Sequence, residues 1–346
     1  MMKERVILNV LILVNFYAFV WNLLLIFSVV PLKKYDMSDY LFSLLIFFFF
    51  AVLIKHRFWL FAFIFMVDFR VLAAILIGVI FLISFANFLF SIFPPKFKTR
   101  VTPTTYELKY ENVSFHSDGL KLKGWFIPNK NSDVVIIVGH GYPFDKANIL
   151  QATYFLADEF NLLLFDFRYF GESEGGYTTG GVKEAKDVLA AMDFLKKEKN
   201  FTKVGAIGFS MSAAAILMSE SKDLKAVVID STYANMDLIL ERLFVFFPGI
   251  LKLPFIWLTK FYGLLFFKIN ANEISPLNSI KTFDIPVLLI HGEKDSQIPV
   301  KNAYLLYENS NKDKTELWIV PNADHGMAFA LSPEEYKTKV IEFFER

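Results

Sequence analysis

From Glu111 onward the chain alternates short apolar, β-branched runs with stretches of helical periodicity, and this alternation restricts its fold more than any other feature. The runs are "DVVIIVGHG", "NLLLFDF", "KVGAIGF", "KAVVID", "VLLIHG" and "ELWIVP". A continuous apolar run such as the first is the signature of a strand buried on both faces of a sheet. Between the runs lie helical patterns such as "VKEAKDVLAAMDFLKKE", and a last helix is predicted over Pro333–Phe344. Ahead of them "ENVSFHSDGLKLKGWFIP" alternates as a β-hairpin that turns at Asp118-Gly119. The order predicts an α/β fold with a mostly parallel, doubly wound sheet, in which reactive groups collect beyond the carboxyl ends of the strands.

The chain before this domain has a different character. Hydrophobic residues make up 55% of the whole, with a mean hydropathy of +0.42, and the excess lies in residues 1–93. Val6–Val30 is long enough to cross a hydrocarbon core of roughly 30 Å and ends in "PLKKYD" without a cleavage site, so it reads as a retained transmembrane helix. Apolar blocks follow at Tyr40–Ile54 and Phe58–Met66, and Val71–Phe93 is a clear span closed by Pro94-Pro95. Three or four spans fit. Asp68 and Arg70 are expected at an interfacial turn with snorkelling side chains, the alternative being an intramembrane pair. Four spans would gather Lys3, Arg5, Lys55, Arg57, Lys96, Lys98 and Arg100 on one side, placing the C-terminal domain in the cytoplasm; three would put it on the opposite face from the N-terminus. Residues 94–105 form a linker. The absence of cysteine excludes disulfides, thiolate metal sites and a cysteine nucleophile, and no basic face suggests nucleic acid.

Candidate reactive residues fall at the strand ends. In "VGAIGFSMSAAAIL", Ser210 sits where a strand turns sharply into an alanine-rich helix, a setting that lifts a hydroxyl above the sheet. Taken alone it is equally an N-cap. As a nucleophile it needs a base, usually a histidine oriented by a carboxylate. Gly208 fits an elbow where a side chain would strike the neighbouring strand. Of the five histidines, His56 lies in the apolar region and His116 in the hairpin, while His140 and His291, each followed by glycine, read as loop-shaping. His325 in "PNADHG" is best placed as base. Asp295 in "HGEKDSQIP" completes a serine–acid–histidine order, with Glu293 and Asp230 as alternative carboxylates.

The motifs "GHGY", "DFRYFGESEG", "GFSMSA", "HGEKDSQIP" and "NADHG", in this strand order, make residues 106–346 resemble the α/β-hydrolase superfamily. The likeness is greatest to single-domain serine hydrolases near esterases and S33-type serine peptidases. It implies an α/β-hydrolase fold with a helical lid, Ser210 as nucleophile, Asp295 as acid and His325 as base. It also implies an oxyanion hole from the backbone N–H groups of Tyr142 and Met211, places Arg168 and Asp166 in the buried scaffold, and calls for no cofactor or metal. One departure is Ser212, where the usual pattern has a second glycine that permits close helix–strand packing. Its hydroxyl can bond back to a helix carbonyl.

The insertion from Ser231 to Phe283, with "RLFVFFPGILKLPFIWLTKFYGLLFF" at its centre, is expected to cap the strand ends as an apolar lid. Pro248, Gly249 and Pro254 break it too often for a membrane span. The expectation is an integral-membrane serine hydrolase whose partners are the lipid bilayer and a small, apolar, acyl-containing substrate. A peptidase of the same fold, a non-catalytic scaffold and a transport role for the N-terminal helices are the alternatives.

Overall fold

Side-chain alternation in the buried strands decides how the sheet is covered. The computed structural model describes residues 69–97 and 99–346. The readings for Val6–Val30, for the blocks between Tyr40 and Met66, for Asp68 and for Lys98 lie outside the described residues. Eight strands form one sheet: β1 (Glu111–Ser117), β2 (Leu120–Ile127), β3 (Val134–Gly139), β4 (Asn161–Phe165), β5 (Lys203–Phe209), β6 (Leu224–Asp230), β7 (Val287–Gly292) and β8 (Thr315–Val320). Their order is β1-β2-β4-β3-β5-β6-β7-β8, antiparallel at β1–β2 and β2–β4 and parallel elsewhere. Asp118 and Gly119 both have positive φ, as a two-residue type I′ hairpin requires.

The helices are α1 (Phe69–Ile92), α2 (Lys146–Thr153), α3 (Glu184–Lys197), α4 (Met211–Met218), α5 (Met236–Leu243), α6 (Leu253–Phe267), α7 (Pro276–Ser279), α8 (Lys301–Glu308), α9 (Ala328–Leu331) and α10 (Pro333–Glu345). In β3, Val135 and Ile137 enter one core with Val188 and Leu195 of α3 and Ile216 of α4. Ile136 and Val138 enter the other, with Leu150 of α2 and Tyr336 and Val340 of α10. β7 divides the same way, Leu289 to the first core and Leu288 and Ile290 to the second. A period of two with apolar residues on both faces is what a sheet sandwiched between helices requires.

α1 crosses the boundary between two compact units, residues 1–75 and 76–346; every contact described below lies within the second. Its 24 residues are about 36 Å long, enough for a hydrocarbon core, and Leu76, Ile77, Val79, Leu82 and Phe90 are exposed along it. Arg70 is helical, within α1. From Leu76 on, the inner side of α1 meets α6: Phe85 and Phe88 pack on Tyr262, and Phe88 and Phe93 on Phe267. Among the described residues, two helical segments, Arg70–Ile92 and Gly249–Phe267, are long and apolar enough to cross a membrane by length and composition. The α-helical part of the second, α6, is only 15 residues or about 22 Å long, and it starts at Leu253-Pro254 after a 3-10 turn.

The segment after β4 is fixed by buried charge. Arg168 forks onto Asp187 of α3 at 2.6 Å (Nη2 to Oδ1) and 3.0 Å (Nε to Oδ2). Asp166 accepts from the Lys146 ammonium at 2.6 Å and from two backbone N–H groups. Burial pushes Asp187 up from the usual carboxylate range, although Arg168 opposes the shift. These residues therefore hold the scaffold, as the sequence led us to expect. Asp187→Ala strands a buried guanidinium and is expected to cost about 3 kcal/mol, lowering Tm by roughly 6–12 °C in a thermal melt; a change under about 2 °C would show the pair to be dispensable.

Candidate active site

Ser210 has φ 54° and ψ −110°, a left-handed conformation wedged between β5 and α4. Its side chain makes no capping hydrogen bond to α4, so the N-cap role it could have played is not used. The elbow is held from below, since Ser210 N donates to Asp230 O at the end of β6. Gly208 is required by crowding, but not where the sequence suggested. A Cβ there would lie 2.6 Å from Ala213 N and 2.7 Å from Ile216 Cδ1, so it would strike α4 rather than the neighbouring strand. Ser212 is also accommodated differently. Its hydroxyl accepts from Phe209 N at 2.8 Å and lies 3.1 Å from Phe209 O, turning back on the strand end and not onto a helix carbonyl. The space its Cβ needs comes from Gly139 of β3, where a Cβ would sit 2.6 Å away.

The loops after β7 and β8 meet because Gly292 has no side chain; a Cβ there would fall 2.4 Å from Ala323 O. His325 Nδ1 thereby comes within 2.8 Å of Asp295 Oδ2. An ionised carboxylate only accepts, so Nδ1 carries the proton and Nε2 of the neutral ring is left as the basic nitrogen. Asp295 is buried, and its Oδ1 accepts from Gln297 N at 2.9 Å and Ile298 N at 2.7 Å. Burial by itself would raise its pKa, but the neighbouring His291 and His325 rings and the Ile298 N–H hold it well below the usual carboxylate range. Asp324 ties the two loops together, accepting from Ser296 N and from His325 N.

Hydrogen bonds link this pair to the elbow through the end of β6. Thr232 Oγ1 donates to Ser210 O at 3.0 Å, and Ser231 Oγ accepts from Gly326 N, the residue after His325, at 3.3 Å. Among the described residues, Ser210 Oγ and His325 Nε2 are not hydrogen-bonded to each other. On the other flank, a Cβ at Gly141 would lie 3.6 Å from Ser210 Cβ, so the loop after β3 lies against the elbow. The backbone N–H groups of Tyr142 and Met211 donate to no acceptor among the described residues.

The other candidates are placed as follows. His140 is buried and accepts from Phe167 N through Nε2, so its proton is on Nδ1, which donates to Gly141 O; burial lowers its pKa and keeps it neutral. His291 was read as loop-shaping, and its Nε2 does donate to Ile298 O at 2.7 Å; it also lies 3.3 Å from Asp295 Oδ2, a second support that spacing alone does not reveal. The alternative carboxylates are engaged elsewhere. Asp230 is fully buried, accepts from Tyr336 and Ser231 hydroxyls, and is pushed up by burial. Glu293 Oε2 accepts from Asn322 N.

Comparison with known proteins agrees with this architecture. The sequence profile of the prolyl oligopeptidase family matches residues 173–346, and that of the X-Pro dipeptidyl-peptidase (S15) family matches residues 99–241. The chain is 29% identical to the uncharacterised Bacillus subtilis protein YqkD over 238 residues, covering 66% of this chain and 76% of that protein. It is 28% identical to the uncharacterised Escherichia coli K12 protein YfhR over 247 residues, covering 67% and 80% respectively. Among solved structures it is similar to the Pyrococcus furiosus esterase Pf2001, at 31% identity and a TM-score of 0.62, over 74% of this chain and 98% of that one. The eight-stranded sheet, the strand-end residues and these matches agree: the chain belongs to the α/β-hydrolase superfamily of serine hydrolases.

Proposed function

We propose that this chain is a membrane-anchored serine hydrolase that cleaves ester or related acyl bonds of apolar substrates through Ser210, His325 and Asp295. The observation that carries the reading is the 2.8 Å contact of His325 with a buried Asp295, in a loop bonded to the strand end that supports the Ser210 elbow. In this mechanism His325 Nε2 takes the Ser210 proton as Oγ attacks the carbonyl carbon. The oxyanion forms against the N–H groups of Tyr142 and Met211. His325 returns the proton to the departing alcohol or amine, and water then releases the acyl group by the same steps. Asp295 stays ionised throughout and offsets the charge on the imidazolium.

The apolar character is drawn from α1 and the lid. Phe246, Ile250, Leu251 and Trp257 are all at least 60% exposed, an apolar surface on the lid whose α6 packs on the long apolar helix α1. A bilayer is the partner that covers such a surface, with α1 spanning it and the lid lying at its boundary. We place the hydrolase domain on the cytoplasmic face, following the basic residues around the linker. A peptidase reading is supported by the two peptidase-family profiles; it uses the same residues and differs in its amine leaving group.

A fluorophosphonate probe should label the full-length protein but not Ser210→Ala, and that variant should lose roughly a thousandfold or more in ester turnover. Labelling that survives would remove Ser210 from the mechanism. Replacing Phe246, Ile250 and Trp257 together by serine should slow hydrolysis of a long-chain ester in vesicles while sparing a soluble short-chain ester; equal loss on both would argue against a membrane-facing lid. The depressed Asp295 pKa adds stability that is complete above the ordinary carboxylate value near 4 and declines as the pH falls below it. The stability gap between wild type and Asp295→Asn in urea unfolding is therefore expected to be widest at about pH 6 and to narrow towards about pH 3. A gap that is constant with pH would contradict an ionised Asp295.

A further inference from the structure

A helix leaves its last four carbonyls without intrahelical partners, and α1 meets this problem in an acute form. Leu89 O is satisfied by Phe93 N at 2.8 Å. The next donors in sequence are Pro94 and Pro95, which have no N–H, so Phe90 and Ser91 cannot be served by the chain that follows. For Phe90 and Ile92 in the helix, and for Pro94 just beyond it, partners come from the hydrolase domain. The phenol of Tyr142 donates to Phe90 O at 3.2 Å, Thr178 N donates to Ile92 O at 3.0 Å, and the Tyr169 phenol donates to Pro94 O at 2.6 Å.

Two of these donors lead to the oxyanion hole. Tyr142 is the residue whose backbone N–H lines one side of it. Thr178 reaches the other side, its hydroxyl lying 3.6 Å from Met211 Sδ while also donating to the buried Glu184. We propose that Tyr142 is a positioning residue as well as an oxyanion donor: its phenol fastens the loop after β3 to the carboxyl end of α1, so that the apolar helix sets the oxyanion geometry as well as anchoring the enzyme. The inference rests on the assignment of Ser210 as nucleophile given above. Its energetic scale is modest, because 3.2 Å is long for a hydroxyl–carbonyl bond and the ring is only half-buried. Partial burial and the neighbouring Tyr169 push the phenol up to about 12, so it remains a donor across the working pH range.

The test uses the full chain in phosphatidylcholine vesicles with acyl chains of roughly 14 to 22 carbons, which vary bilayer thickness and hence the tilt of a spanning helix. The readouts are kcat and KM on a soluble short-chain ester and the rate of fluorophosphonate labelling. Wild-type kcat should vary with thickness. Tyr142→Phe should lower kcat by about three- to tenfold with little change in KM, and should flatten the thickness dependence. Tyr169→Phe loses the bond to Pro94 O, which does not run through the loop after β3, and should keep its kcat within about twofold. If Tyr142→Phe does not fold, Pro94→Ala decides. It restores an N–H four residues after Phe90, competes for the same carbonyl, and should reproduce the kcat loss and the flattening. Wild-type kcat in the variant that folds, or reduced kcat with an unchanged thickness dependence, would overturn the proposal. Labelling of Ser210→Ala would instead overturn the nucleophile assignment, a separate failure.

Discussion

The buried carboxylate of Asp295 is the constraint on which the geometry of the strand ends depends. A charge removed from water is tolerated only when its lone pairs are occupied, and this one draws donors from two sides. Two come from its own loop and one from His325 across the gap to the next loop, while the His291 ring lies 3.3 Å away. Satisfying Asp295 thus fixes the conformation after β7, and it fixes the ring plane and the tautomer of His325. The absence of a side chain at Gly292 is the steric condition for that approach. Asp295 and His325 are in this sense one folded unit, assembled by the need to solvate a single anion with protein.

The elbow obeys a different logic. Ser210 is in a backbone region that ordinary residues avoid, and such a conformation persists only when its surroundings over-determine it. Here the surroundings are the Asp230 carbonyl below, the Thr232 hydroxyl beside it and the clamp that Ser212 makes on both polar groups of Phe209. Ser212 at the usual glycine position thus adds a fastening to the turn. The volume that a glycine would have saved on the helix is saved on β3 instead, at Gly139.

Much of this was legible in the sequence, for identifiable reasons. Continuous apolar runs specify buried strands because both faces must be covered, and the period of two then assigns Val135 and Ile136 to opposite cores. Asp118-Gly119 specified its hairpin because few residue pairs adopt two positive φ angles. What was not legible depends on contacts between distant segments. His291 reads as an ordinary strand-end residue until Asp295 is folded back over it. The target of Gly208 was assigned to the wrong neighbour because the tightness of the turn into α4 is a property of the backbone path. The bonds from Tyr142, Thr178 and Tyr169 to the exit of α1 have no local signature either. Only the Pro-Pro pair, which removes the donors, hints that they are needed.

The insertion between β6 and β7 is held to its surroundings at two places of different character. At α6 it is held by a cluster of aromatic rings shared with α1, and separating them would expose apolar surface. At α5, Met236 and Ile239 pack with Tyr233 and Ile298, and the Arg242 guanidinium donates to the carbonyl of Ser296 in an exposed setting. Ser296 follows Asp295 in sequence and is itself bonded to Asp324 beside His325. The insertion is thus bonded to the loop that carries Asp295 and, through Asp324, to the backbone of His325, so that three segments distant in sequence are tied at one place.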